Sequence, residues 1–115
     1  MSDAAPWVLA VGDVALDADE LGSTTVLAGN PAMSSKTLWT SKRGTVQHGI
    51  WELTPGTVTD VEADELFVVL SGSATIAFED GPTLDVGPGD VVRLPEGART
   101  VWTVHETLRK VYAIS

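Results

Sequence analysis

The stretch ELFVVLSGSATIAFEDGPTLDV, Glu65 to Val86, decides the fold. Two segments rich in Val, Ile, Phe and Leu are interrupted at Ser71-Gly72-Ser73, and a turn sequence, Glu79-Asp80-Gly81-Pro82, leads into a third segment, Thr83 to Val86. Alternating apolar positions bounded by turn residues read as antiparallel strands. The EDGP turn is expected to use Gly81 for a positive φ, with Pro82 opening the next strand.

The same cadence continues in both directions. Downstream come the turn GPGD, the segment VVRL, the turn PEG, and two expected strands, TVWTV and LRKVYAI. Upstream, from Thr25, segments rich in Val, Thr and Trp are separated by GNP, KRG and PG. Short strands at intervals of about eight to twelve residues mark an all-β sandwich or barrel, and no run in the second half carries a helical period. Residues 1–24 read as an N-terminal arm with a turn at LGSTT and acids that suit a short helical turn; residues 25–115 read as one barrel domain.

A chain of 115 residues holds one core. Sixteen acids against seven bases give a net charge of −9, with no basic block, so nucleic acid and anionic membrane are not expected partners. There is no cysteine, which excludes disulfides, thiolate chemistry and zinc-thiolate centres. The start MSDAAPWVLAVGDVALDADE carries acids and no basic n-region, and the expected compartment is the cytoplasm. Only two histidines are present, so three from one chain cannot share an ion.

PGTVTDVEADELFVVLSG followed by GPGDVVRLPEGARTVW resembles the two glycine-bounded motifs of the cupin superfamily. VLAGNP, GIWELTPG, GPGDVVRLPEG, Trp102 and RKVYAI resemble the small single-domain cupins related to (S)-ureidoglycine aminohydrolase. The resemblance spans about Val26 to Ile114 and implies a double-stranded β-helix, a jelly-roll β-barrel. Metal-binding cupins place two histidines and a glutamate in the first motif and a histidine in the second. Here the glutamate position is Glu65, but the histidine positions fall on Thr59, Val61 and Thr100. The aminohydrolase set of Glu, His, His and Gln is not reproduced either. The resemblance therefore implies a degenerate metal site.

Strand parity turns Glu65, Phe67 and Val69 towards one face. A carboxylate beside a phenyl ring is partly desolvated, which suits a metal ligand, a general acid or base, or a ligand anchor; hydrogen bonding to the barrel backbone or to an arginine is the alternative. Asp60, Glu62 and Asp64 are expected to form a solvated approach to Glu65. A hard divalent ion would draw on Glu65 with Glu62, Asp64 and His48, the histidine best placed for the interior; Mn, Fe, Ni or Zn and no metal at all both stay open. His105 has the outward parity. Trp102 and Thr100 share the inward parity and form the expected pocket wall with Phe67 and Trp51. Tyr112 and Arg109 are further candidates, the arginine for a ligand carboxylate.

Three functions are compatible with these residues: a small-molecule-binding cupin, a metal-assisted hydrolase, lyase or isomerase acting on a small nitrogenous or carboxylic metabolite, and a structural barrel. A homodimer is expected, with the apolar arm PWVLAVGDVAL covering an edge or crossing to a second copy.

Overall fold

A computed structural model describes residues 5–21 and 24–115; Gly22 and Ser23, the centre of the expected LGSTT turn, lie outside the described residues. Among the described residues a 3₁₀ turn, Val11–Asp13, precedes nine strands: β1 Asp17–Asp19, β2 Thr25–Gly29, β3 Met33–Thr40, β4 Gln47–Leu53, β5 Gly56–Val61, β6 Glu65–Phe78, β7 Thr83–Val86, β8 Val91–Leu94 and β9 Arg99–Ile114. All pairings are antiparallel. No helix among the described residues is long and apolar enough to cross a membrane.

Two long strands organise everything else. β6 and β9 pair from Glu65↔Ile114 to Phe78↔Thr100, with register shifts between Val69 and Ala74. On one side of the shifts, the first half of β9 pairs with β5, which pairs with β2, and the second half of β6 pairs with β7. On the other side, the second half of β9 pairs with β4 and through it β3 and β1, while the first half of β6 pairs with β8. The sheet thus curls into an antiparallel jelly-roll barrel, the expected all-β architecture. Part of the arm is itself a strand, since Asp17–Asp19 pairs with β3 and Asp19 accepts a hydrogen bond from Ser35.

The structure corrects two local readings. TVWTV and LRKVYAI form one unbroken strand, because the neighbours of β9 change along its length while its own hydrogen bonding continues. Gly81 does not adopt positive φ; the turn closes instead by Gly81 N–H to Phe78 O and Phe78 N–H to Pro82 O.

The left-handed conformation falls on Gly72 (φ +85°), at the β6 irregularity. A Cβ there would stand 2.0 Å from the Thr107 carbonyl oxygen of β9, and only glycine lets the two long strands approach so closely. The core inside the curl is dense: Phe67, Ile76, Leu94 and Leu108 are all fully buried. Gly72→Ala combines a left-handed strain with a backbone clash, and we expect it to lower the unfolding free energy by about 3 kcal/mol or more, read from urea denaturation curves.

Candidate functional site

The inward face of β9 is even-numbered on either side of the exposed residues His105, Glu106 and Thr107. Thr100, Trp102, Val104, Leu108, Lys110 and Tyr112 are buried, and the alternation of the strand carries Lys110 to the same interior as Trp102. Lys110 lies opposite Trp51 on β4 and Val69 on β6. Its Nζ donates to Glu65 Oε2 at 2.6 Å, and both side chains are only 6% exposed. Three ring faces surround the ammonium: the Trp51, Phe67 and Trp102 centroids lie 4.4, 4.3 and 5.0 Å from Nζ. The rings also touch each other, with Trp102 5.7 Å from Trp51 and 5.8 Å from Phe67.

A second carboxylate stands beside this pair. Glu62, in the segment between β5 and β6, is held by its backbone: its N–H donates to Ala98 O and its C=O accepts from Gly97 N–H. Its Oε2 accepts from Thr100 Oγ1 at 2.6 Å and from Trp102 Nε1 at 2.8 Å. Burial is the largest influence on Glu62 and raises its carboxyl above the usual 4.5; the Thr100 and Trp102 bonds pull it back, Asp60 adds to the rise and Lys110 opposes it. Asp60 is raised for the same first reason, against the Val61 N–H bond and Lys110, with Glu65 adding to the rise.

The Asp60, Glu62, Glu65, Trp51, Trp102 and Lys110 side chains line a cavity of about 250 Å³ together with Met33, Ser35, Tyr112 and Ile114, and Leu21 and Thr24 also border it. Two larger depressions, about 580 and 510 Å³, are lined largely by turn and outer-strand residues such as Phe78, Glu79 and Arg99, and neither contains a buried ion pair. The inner cavity is the candidate site. Tyr112 reaches it because Gly49 has no side chain: a Cβ there would lie 2.5 Å from the phenol oxygen.

The sequence candidates divide accordingly. Glu65, Trp102, Trp51 and Tyr112 line the cavity, Phe67 packs against the ammonium from the core, and Thr100 acts through Glu62. Glu62 corrects the expectation of a solvated loop: it is 6% exposed, because the bonds to Ala98 and Gly97 extend the β5–β9 ladder and turn it inward. Asp64 does face outward, paired with Arg93. His48 is not in the cavity; it stacks on Trp39 at 4.5 Å, on the parity opposite to Trp51. Arg109 also faces away, bonded to Glu52 Oε2 and to the arm carbonyls of Val11 and Val14. His105 points outward and meets Thr75. Lys110 is the cavity residue that sequence reasoning missed, although the parity of Trp102 extended eight residues onward reaches it.

The metal that the resemblance implies does not fit these side chains. Glu65 is engaged by an ammonium, Glu62 by two donors, Asp64 by a guanidinium and His48 by a ring stack, and among the described residues no group of three His, Asp or Glu side chains converges.

The model of the EutQ-like cupin domain matches residues 40–112, more than half of the chain. The chain belongs to that family. The barrel of this EutQ-like cupin is similar to that of the Clostridium difficile EutQ protein over 93% of this chain and 84% of the other, with a TM-score of 0.73 at 18% identity. A Pseudomonas syringae pv. tomato protein of the DUF861 family, described as of unknown function, matches over 90% of this chain and 45% of its own, with a TM-score of 0.77 at 26% identity. A putative ethanolamine utilization protein Q from Salmonella typhimurium matches over 72% and 68%, with a TM-score of 0.62 at 22% identity. None of the curated proteins matches.

A carboxyl raised by burial stabilises the fold below its unfolded pKa, and that stability is lost as pH rises through the folded value. Unfolding free energy is therefore expected to fall as pH rises from 4.5 through the raised Glu62 range. Glu62→Gln should flatten that fall, as measured by urea denaturation across the acid-to-neutral range.

Proposed function

We propose that this EutQ-like cupin binds a small molecule bearing a protonated amine. The observation that carries the reading is the charge balance of the cavity. Asp60, Glu62 and Glu65 all line it, and among the described lining residues Lys110 is the only base. Glu65 has that ammonium as its direct partner, whereas burial leaves Asp60 and Glu62 raised. A ligand cation next to Glu62 would supply the missing charge, and the Trp51 and Trp102 rings offer it apolar walls. The Salmonella relative is named for ethanolamine utilization, which makes ethanolamine a reasonable first probe.

Tryptophan fluorescence tests the reading, because Trp51 and Trp102 line the cavity. Ethanolamine and methylammonium should each give a saturable change, with acetate and glycerol as controls. Affinity should rise with pH through the raised carboxyl range, since a cation binds the ionised form, and Glu62→Gln should weaken it about tenfold or more. No saturable response to either amine, or an equal response to acetate, would sink the proposal.

A catalytic reading follows the motif likeness to ureidoglycine aminohydrolase. It assigns proton transfer to Glu62, whose raised carboxyl suits a general acid or base, on a nitrogenous substrate held beside Lys110. Turnover of ureidoglycine or a related amide, lost in Glu62→Gln, would distinguish it from binding alone. For the homodimer reading, the supporting feature is β2, an end strand of the sheet that exposes Val26 and Leu27. A free apolar edge suits pairing with a second copy, and Leu27→Lys should shift a concentration-dependent dimer to monomer in light scattering.

A further inference from the structure

The disagreement between the metal set implied by the resemblance and the side chains present has a positive content. We propose that Lys110 is the built-in cation of this site, a residue of the chain standing in the interior where the resemblance puts an exchangeable ion. Its role is that of a positioning residue: it gives the Glu65 carboxylate a buried partner and holds it aimed inside an apolar barrel. The inference concerns the Glu65 half of the cavity, whereas the amine-binding reading rests on Asp60 and Glu62.

Three observations meet at one atom. Lys110 Nζ lies 2.6 Å from Glu65 Oε2, both residues being buried. Trp51, Phe67 and Trp102 place three ring centroids within 5.0 Å of it, inside the reach of a cation–π attraction. An ammonium has three N–H bonds, and among the described residues Glu65 is the one oxygen partner recorded for it; the ring faces accept the remaining charge. The surroundings are thus complementary to an ammonium head, not to the aliphatic stem that delivers it. Three strands supply them: β4 gives Trp51, β6 gives Glu65 and Phe67, and β9 gives Trp102 as well as Lys110 itself.

Removing the head but keeping the surroundings should leave a hole shaped for a free organic ammonium. Lys110→Ala strips the cation from Glu65 and leaves a buried carboxylate facing three rings. Such an uncompensated charge is strongly destabilising, and methylammonium, the lysine head group carried on one carbon, should restore it. Removal of both charges in Lys110→Met with Glu65→Gln should be tolerated, because a buried ion pair is frequently replaceable by neutral groups of similar size.

The experiment is thermal melting in methylammonium chloride against sodium chloride at equal ionic strength. It is run in a Glu62→Gln background so that amine binding beside Glu62 does not contribute. Adding Lys110→Ala to that background should lower the melting temperature, and methylammonium should then raise it saturably by about 5 °C. The background without the lysine change should show no such rise, and neither should the combination that also carries Glu65→Gln. If Lys110→Ala does not fold in sodium chloride, its refolding in methylammonium supports the proposal, and failure to refold there overturns it. Equal rescue with and without Glu65, or a Lys110→Met/Glu65→Gln protein as unstable as Lys110→Ala, would also overturn it by reducing Lys110 to a packing residue. A stoichiometric stabilisation of the unsubstituted protein by Mn²⁺, Ni²⁺ or Zn²⁺ would return the cation's place to a metal. Because the amine-binding reading is tested by Glu62→Gln on fluorescence, either idea can fail alone.

Discussion

A buried ion pair, Glu65 with Lys110, is the constraint around which this barrel is arranged. Both partners are almost without solvent, so neither charge is tolerable alone. The pair requires the start of β6 and the second half of β9 to lie in one register, and the three rings around it come from β4, β6 and the first half of β9. Glu62 is coupled to the same assembly through Trp102, whose indole N–H binds its carboxylate while its ring faces the ammonium. Electrostatics and packing are therefore shared by the same few side chains.

The cavity has two unlike halves. One carboxylate is matched by a cation covalently tied to the chain; the others are held by neutral donors and by burial. Such an arrangement sets a fixed positive charge against Glu65, while burial raises the carboxyls of Asp60 and Glu62. The fold supplies the enclosure, while the particular distribution of partners sets what the enclosure can accept.

Much of the barrel was legible from turn spacing and alternation. Glu65, Phe67, Thr100 and Trp102 were placed on the correct face because a strand has a period of two, and that rule needs no tertiary information. It could also have reached Lys110, but dividing β9 into two strands broke the count between Trp102 and the RKVYAI segment. Arg109 was preferred there for its chemistry, although it has the wrong parity. Glu62 was misread for a different reason: an acid in a connecting segment looks solvated until the backbone bonds to Gly97 and Ala98 show the segment continuing the ladder. Those bonds join residues far apart in sequence, and no local pattern announces them. The stacking of His48 on Trp39 has the same character.

Arg109 and Lys110 are consecutive, yet one guanidinium is committed to Glu52 and the arm while the next ammonium is enclosed with Glu65. A shift of β9 by a single residue would exchange them, placing a planar fork in a space fitted to a compact head and leaving the arm's carbonyls to a shorter donor. The irregular pairing around Gly72 and Thr107 lies just ahead of these two residues, so it works as a phase lock for the strand. Changes in chain length between Val104 and Leu108 would then be more damaging than most changes of residue type, because they would scramble two charge assignments in one step.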